Sequence, residues 1–170
     1  MMNTRKTVVG VMGSGAAATP EDCQMAYNLG KLIAGEGWVL LNGGRPAGVM
    51  EASARGAREK GGLTVGVLPG TGGDQASPYI DIAIVTGMGD ARNNINVLSS
   101  DIIVALPGGA GTISEIALAL KNGKRVILLK FDTGTLFNKY RDLKQLIIAG
   151  TPEEAVPIIK KELLLQAVKK

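Results

Sequence analysis

The 170-residue chain contains no histidine and a single cysteine, Cys23. Those shortages exclude Ser-His-Asp and Cys-His nucleophile systems, thiolate zinc sites, iron-sulfur clusters and any internal disulfide. Any chemistry therefore falls to carboxylates, arginine, lysine, hydroxyls and backbone groups. Aromatic residues are scarce as well: one tryptophan, three tyrosines and two phenylalanines are too few for a base-stacking platform on single-stranded nucleic acid. No Gly-Lys-Ser or Gly-Lys-Thr occurs, so ATP hydrolysis of the P-loop type is disfavoured. No apolar run approaches the ~20 residues of a membrane helix. Arg5 and Lys6 followed by Thr7 to Ala18 superficially mimic a signal peptide, but that stretch is broken by glycines and has no leucine. It reads better as a first strand, and with one cysteine the chain is expected to be cytoplasmic, without a membrane partner.

What is present suits one globular domain over residues 1–170, since 45% of residues are hydrophobic and 20% charged, enough for a real core. The net charge of +4 is unevenly placed. Residues 1–120 carry 8 basic and 10 acidic side chains, and residues 121–170 carry 11 and 5. A surplus of that kind, with Lys160, Lys161, Lys169 and Lys170 as its clearest members, belongs to solvated helix faces and gives no ground for a nucleic-acid partner.

Short runs rich in valine and isoleucine recur at Thr7 to Met12, Trp38 to Leu41, Thr64 to Leu68, Ile82 to Val85, Ile102 to Leu106 and Arg125 to Leu129. Helical patterns separate them at Pro20 to Ala34, Val49 to Lys60, Arg92 to Ser99, Thr112 to Lys121 and Pro152 to Val168. Alternation of strand and helix predicts an α/β, doubly wound domain whose mostly parallel sheet is flanked by helices. Thr19-Pro20-Glu21-Asp22 and Thr151-Pro152-Glu153-Glu154 mark two helix starts by a hydroxyl N-cap, a proline and a first-turn acid. Gly123 is placed to close the helix that ends near Lys121. The helix containing Ile113, Ile116, Ala117, Leu118 and Leu120 is apolar over a wider arc than one core face requires, which predicts packing against a second copy of the chain.

Glycine is the residue in excess, 24 of them, about twice the average share. They cluster after strands: Gly13-Ser14-Gly15, Asn42-Gly43-Gly44-Arg45, Pro69 to Gly73 with Gly70 and Thr71, and Pro107-Gly108-Gly109-Ala110-Gly111-Thr112. In a doubly wound sheet these loops share one edge, where ligands bind at the reversal of strand order. Loops without bulky side chains leave room there and aim backbone N–H groups at an anion. Gly13 to Ala18 also fits a dinucleotide fingerprint; against that, the helix starts late, at Pro20, and the second strand ends in Asn42 where a ribose-binding acid is expected. These glycines serve equally well as a tight strand-to-helix loop.

Leu106 to Glu115 carries the strongest signal, a strand end, three glycines and a helix N-terminus suited to a phosphate monoester. Thr112 to Glu115 also reads as a capping box, and in that position the dipole and cap bonds predict an ionised Glu115. Arg92 opens the preceding helix and can serve as a phosphate partner or pair with Asp90 at the surface.

Pro107-Gly108-Gly109-Ala110-Gly111-Thr112-Ile113-Ser114-Glu115, with Gly43 to Met50 and Arg92, resembles the Rossmann-like superfamily of the LONELY GUY cytokinin-activating phosphoribohydrolases, once labelled lysine decarboxylases. In those enzymes the residues matching Arg92 and Glu115 serve hydrolysis of nucleoside 5′-monophosphates, and the arginine is followed by lysine. This chain has Asn93 there, and Asn42 and Glu51 where the other loop is usually glycine. Gly87 to Asn93 and the short length are instead similar to the branch that contains the molybdenum cofactor carrier proteins. That resemblance implies a binding protein for molybdenum cofactor (molybdopterin), with a terminal phosphate and a pterin held by the glycine loops. It implies Gly13, Ser14, Gly15, Asn42, Gly43, Gly44, Arg45, Gly70, Thr71, Arg92, Asn93, Pro107, Gly108, Gly109, Gly111, Thr112 and Glu115 as ligand-binding residues, no bound metal of the protein's own, and no catalytic residues. Were the chain a hydrolase, Arg92 and Glu115 would be catalytic. Molybdenum insertase and apo-molybdoenzymes are the implied partners, and a homo-oligomer, dimer or tetramer, the implied assembly. A non-catalytic nucleotide-binding module is the third reading of the same residues.

Overall fold

The structure, a computed structural model, describes residues 5–168, so Lys169 and Lys170 lie outside the described residues. Seven strands form one sheet: β1 (Val8–Met12), β2 (Val39–Asn42), β3 (Thr64–Leu68), β4 (Ile82–Val85), β5 (Ile102–Ala105), β6 (Val126–Leu129) and β7 (Leu146–Ala149). Their order is β4-β3-β2-β1-β5-β6-β7 and every neighbouring pair is parallel. The α/β doubly wound architecture is therefore present, with a sheet that is parallel throughout.

Strand alternation divides the core into two layers. Ile102 and Val104 of β5 join Val9, Val11, Leu29 and Ile33 on one face, where helices α1 (Pro20–Gly35), α2 (Gly48–Glu59) and α6 (Pro152–Val168) lie. Ile103 and Ala105 turn to the other face with Met12, Ile116 and Leu128, under α3 (Asn93–Ser99) and α4 (Ala110–Lys121). A strand flanked by helices on both faces has no polar side to alternate with, and for this reason β5 reads as an unbroken apolar run.

Two elements were not signalled by the patterns above. They are β7, as long as the recognised β4, and the short α5 (Asn138–Asp142) that precedes it. Helix α1 starts as expected, with a complete capping box between Thr19 and Asp22. α6 is capped by Thr151, whose Oγ1 accepts from the Glu154 N–H at 3.2 Å. Gly123 follows the C-cap of α4 at φ +73°, the left-handed conformation that favours glycine there.

Helices α1 and α2 touch through two glycines. A Cβ on Gly30 would stand 2.1 Å from the Ser53 carbonyl oxygen, and one on Gly56 2.0 Å from that of Tyr27. Backbone cannot move aside as a side-chain tip can, so an alanine at either position would drive the helices apart. Their close approach fixes α2, and with it the loop that α2 follows. At the sheet edge β4 is exposed along its whole length. The arc of α4 is better covered than its sequence implies, because Ile116 and Leu120 are buried in the core and Ile113 and Leu118 are half-buried.

Candidate functional site

The strand order reverses at β1, which lies between β2 and β5. Loops leaving the C-terminal ends of β1 and β5 diverge to opposite faces there and open a crevice. Its floor is tied together by backbone. The Ser14 N–H donates to the Pro107 carbonyl at 3.0 Å, and the Ser14 carbonyl accepts from the Val49 N–H at 2.9 Å. Ser14 thereby joins the loops after β1, β2 and β5, and occupies a donor at the N-terminus of α2. The contact requires glycine at 48, where φ is +51° and a Cβ would lie 2.0 Å from the Gly15 carbonyl oxygen.

The N-terminus of α4 is different, for its N-cap is Gly109 and no side chain caps it. The helix begins at Ala110, three residues earlier than a capping box with Thr112 as N-cap would have it. That box is not formed: both residues lie inside the helix, and Glu115 accepts from the Asn96 side chain instead. Gly109 and Gly111 face open space, with nothing within 4 Å of an added Cβ. A Cβ on Gly108 would meet Thr112 Oγ1 at 2.1 Å. First-turn N–H groups with no intrahelical acceptor, together with the positive end of the helix dipole, are thus directed to the crevice.

Arg92 ends a 3-10 turn over Gly89–Arg92 and is 8% exposed. Burial sets aside the surface pair with Asp90. Its Nη1 donates to Asn93 Oδ1 at 2.8 Å, and Asn93 Nδ2 donates to Ser114 Oγ at 3.3 Å. Ser114 Oγ in turn donates to the Gly111 carbonyl at 2.7 Å. This chain holds the guanidinium against the first turn of α4, and it needs an acceptor at position 93, which asparagine supplies and lysine lacks. Gly43 makes the room, since a Cβ there would lie 2.8 Å from Arg92 Nη2. Arg92 Nε is buried without a partner, so the cation is short of acceptors and suited to an incoming oxyanion.

The crevice measures about 180 Å³. Of the residues expected at a site, Gly13, Ser14, Gly15, Gly43, Arg45, Arg92, Asn93, Gly109, Gly111, Thr112 and Glu115 line it. Asn42 and Gly44 are buried behind that surface, Pro107 and Gly108 are half-buried outside the lining, and Gly70 and Thr71 belong to the loop after β3, also outside it. Asn42 is fully buried and its amide is spent on the scaffold. Nδ2 donates to the Met50 carbonyl and Ser53 Oγ, while Oδ1 accepts from the Gly44 N–H. Met50 and Asp90 join the lining unannounced by the sequence. Methionine on an amphipathic helix reads as core, and Asp90 as the surface partner of Arg92.

Glu115 is 6% exposed, with Arg92 Nη1 at 3.9 Å. Burial pushes its carboxyl up to about 7, opposed by the Asn96 hydrogen bond and by the Arg92 charge. The ionised state expected from the helix dipole and cap is thus corrected, because the cap is absent and desolvation outweighs the dipole. Burial likewise lowers the Arg92 guanidinium from its ordinary value, opposed by Glu115. A carboxyl raised above its unfolded value holds more protons folded than unfolded, so its contribution is present below about 4.5 and lost as pH rises through about 7. Glu115→Gln keeps the acceptor for Asn96 and removes the charge. We expect it to stabilise the protein at pH 8 by at most about 3 kcal/mol, and by little at pH 4.5; equal denaturation midpoints for variant and wild type at pH 8 would contradict this.

The family model described as "LDcluster4: SLOG cluster4 family" matches residues 6–156. The molybdenum cofactor binding protein of the phototrophic bacterium Rippkaea orientalis superposes with a TM-score of 0.90 at 52% identity, over 95% of this chain and 99% of that one. The molybdenum cofactor carrier protein of Chlamydomonas reinhardtii gives 0.87 at 46% identity, over 94% and 99%. A cytokinin riboside 5′-monophosphate phosphoribohydrolase of Mycobacterium tuberculosis is 39% identical over 112 residues, 63% of this chain and 60% of that protein.

Proposed function

The chain belongs to the SLOG cluster4 family, within the LONELY GUY-like Rossmann superfamily, and from that membership we propose that it is a carrier of molybdenum cofactor. The observation that carries the reading is the pairing of an uncapped α4 N-terminus with the buried, acceptor-poor Arg92 across one crevice. Such a pairing is built for a phosphate monoester. Likeness to two carrier or binding proteins at 46% and 52% identity, over nearly the whole of each chain, supports the phosphate-bearing pyranopterin as the ligand. The backbone donors of α4 and Arg92 would hold the phosphate, and the ring system would lie against the loop at Gly15, where an added Cβ meets nothing nearer than 3.6 Å. Enclosure in the crevice would slow attack by water and oxygen until the ligand passes to an insertase or an apo-molybdoenzyme.

Protein purified from cells that make the cofactor should release, on oxidation, a fluorescent pterin in near-stoichiometric amount. Absence of that fluorescence under anaerobic purification sinks the carrier reading. We further propose assembly into a dimer or tetramer, for which light scattering at micromolar concentration is the check; a monomer mass contradicts it. Hydrolysis of a nucleoside 5′-monophosphate is the second reading, favoured by the neutral-range Glu115 and by the mycobacterial relative.

A further inference from the structure

Asn96 of α3 lies one turn beyond Arg92, the last residue of the preceding 3-10 turn, and both side chains approach Glu115. Asn96 is fully buried. Its Nδ2 donates to Glu115 Oε1 at 2.9 Å, while its Oδ1, also buried, has no partner. An amide whose other end is unpaired is unusual in a core, where polar atoms are nearly always satisfied. Here it has a specific result: no second hydrogen bond holds the amide in its present sense. A half-turn about its last bond keeps the shape, breaks only the bond to Glu115 and presents an acceptor in place of a donor. A carboxylate can use only the donor, whereas a protonated carboxyl can also give its proton to the acceptor.

We propose that Asn96 is a positioning residue that keeps the Glu115 carboxyl aimed into the crevice in both of its protonation states, by reversing its amide as the proton comes and goes. The charged group that acts on Glu115 is Arg92 at the end of the 3-10 turn; Asp90 from that turn and Arg45 from the loop after β2 also line the crevice. None of them hydrogen-bonds to the Glu115 carboxyl, for the Arg92 contact at 3.9 Å is beyond that range. Asn96 is therefore the side chain that fixes where the carboxyl points, whichever charge it bears. The neutral-range behaviour of Glu115 noted above gives the reversal a pH at which to occur. This inference deepens the reading of the crevice as the ligand site, and its test is run without ligand so that the two can fail separately.

The test is a pH series from 5 to 9 on ligand-free, 13C- and 15N-labelled protein. The Glu115 carboxyl carbon, assigned with Glu115→Gln, is expected to titrate in the neutral range. The Asn96 side-chain amide signals should move with the same midpoint. In Asn96→Leu, which keeps the bulk and removes the donor, the Glu115 midpoint should shift to higher pH. A Glu115 signal that does not titrate in this range overturns the proposal. So does an Asn96 amide that stays fixed while Glu115 titrates, or a leucine variant with an unmoved midpoint. If the leucine variant does not fold, the wild-type amide signals decide alone. Failure of the wild type to retain pterin would refute the carrier reading and leave this result standing.

Discussion

Replacing Gly109 by valine should abolish retention of the phosphate-bearing ligand while leaving a folded protein. Gly109 is the N-cap of α4 at φ −88° and ψ −155°, extended backbone that any residue adopts, and nothing lies within 4 Å of an added Cβ. The mutation therefore meets no resistance from the fold. The space it fills is the crevice itself, in front of the first-turn N–H groups. Charge-assisted hydrogen bonds contribute about 1.5–3 kcal/mol each, so loss of two costs roughly 4 kcal/mol, or about a thousandfold in Kd. Aspartate at the same place adds like-charge repulsion. Ligand-dependent fluorescence on variants with unchanged circular dichroism reads the effect, and unchanged affinity would place the phosphate elsewhere. By contrast, Gly108→Val meets Thr112 of α4 and tests the fold more than the ligand.

Arg92→Ala and Glu115→Ala separate a carrier from a hydrolase. Breaking an N-glycosidic bond needs a carboxylate beside a developing oxocarbenium ion and a proton for the leaving base. Glu115 near neutrality is competent for either role, so its protonation state does not argue against hydrolysis. The argument lies in the setting. Position 93 supplies an acceptor that pins Arg92 where the hydrolases have a cation, and no histidine is available to share the proton work. Wild-type protein incubated with AMP or a cytokinin monophosphate should release little or no free base. Arg92→Ala should weaken cofactor retention by two orders of magnitude or more, roughly the 3–5 kcal/mol that follows when one partner of a buried charged contact is removed. Robust base release that both variants lose, with no pterin retained by the wild type, would establish the hydrolase instead.

How far the sequence carried can be seen at particular residues. The repeat of valine and isoleucine runs was sufficient for the doubly wound sheet, because strands buried on both faces have no polar alternation to obscure them. β7 escaped although Leu146 to Ala149 is as long as the recognised run Ile82 to Val85, because no long helical pattern separates it from β6 to complete the alternation. Around the crevice, glycines after strand ends were legible as a class, since strand order gathers them at one edge. Which of them face the crevice was not: Gly44 and Gly108 pack inward and Gly109 and Gly111 outward, a distinction made by φ and neighbours that residue type does not encode. The helix start at Ala110 was misread for a related reason. A good capping sequence at Thr112 competes with glycines that let the chain enter the helix sooner, and tertiary packing of Thr112, now 4% exposed, decided between them. Asn96 gave no signal at all, because an asparagine inside a short helix looks like a solvated position until the opposing carboxylate is known.

The pairing of β1 with β5 joins Val9 to Ile102, residues far apart in the sequence. Everything from β1 to β4 can assemble through strands that follow one another in sequence, whereas the seam beside β1 closes only after more than half the chain has been laid down. Contacts so distant bear a loop-closure cost before they return any stabilisation, and are late to form. The crevice is cut along that seam, so an emerging chain has nowhere to seat an anion until its second half docks. A ligand bound across the seam would then act as a clasp on the two halves: it should slow their separation more than it speeds their meeting, and its departure would leave that seam the first to open.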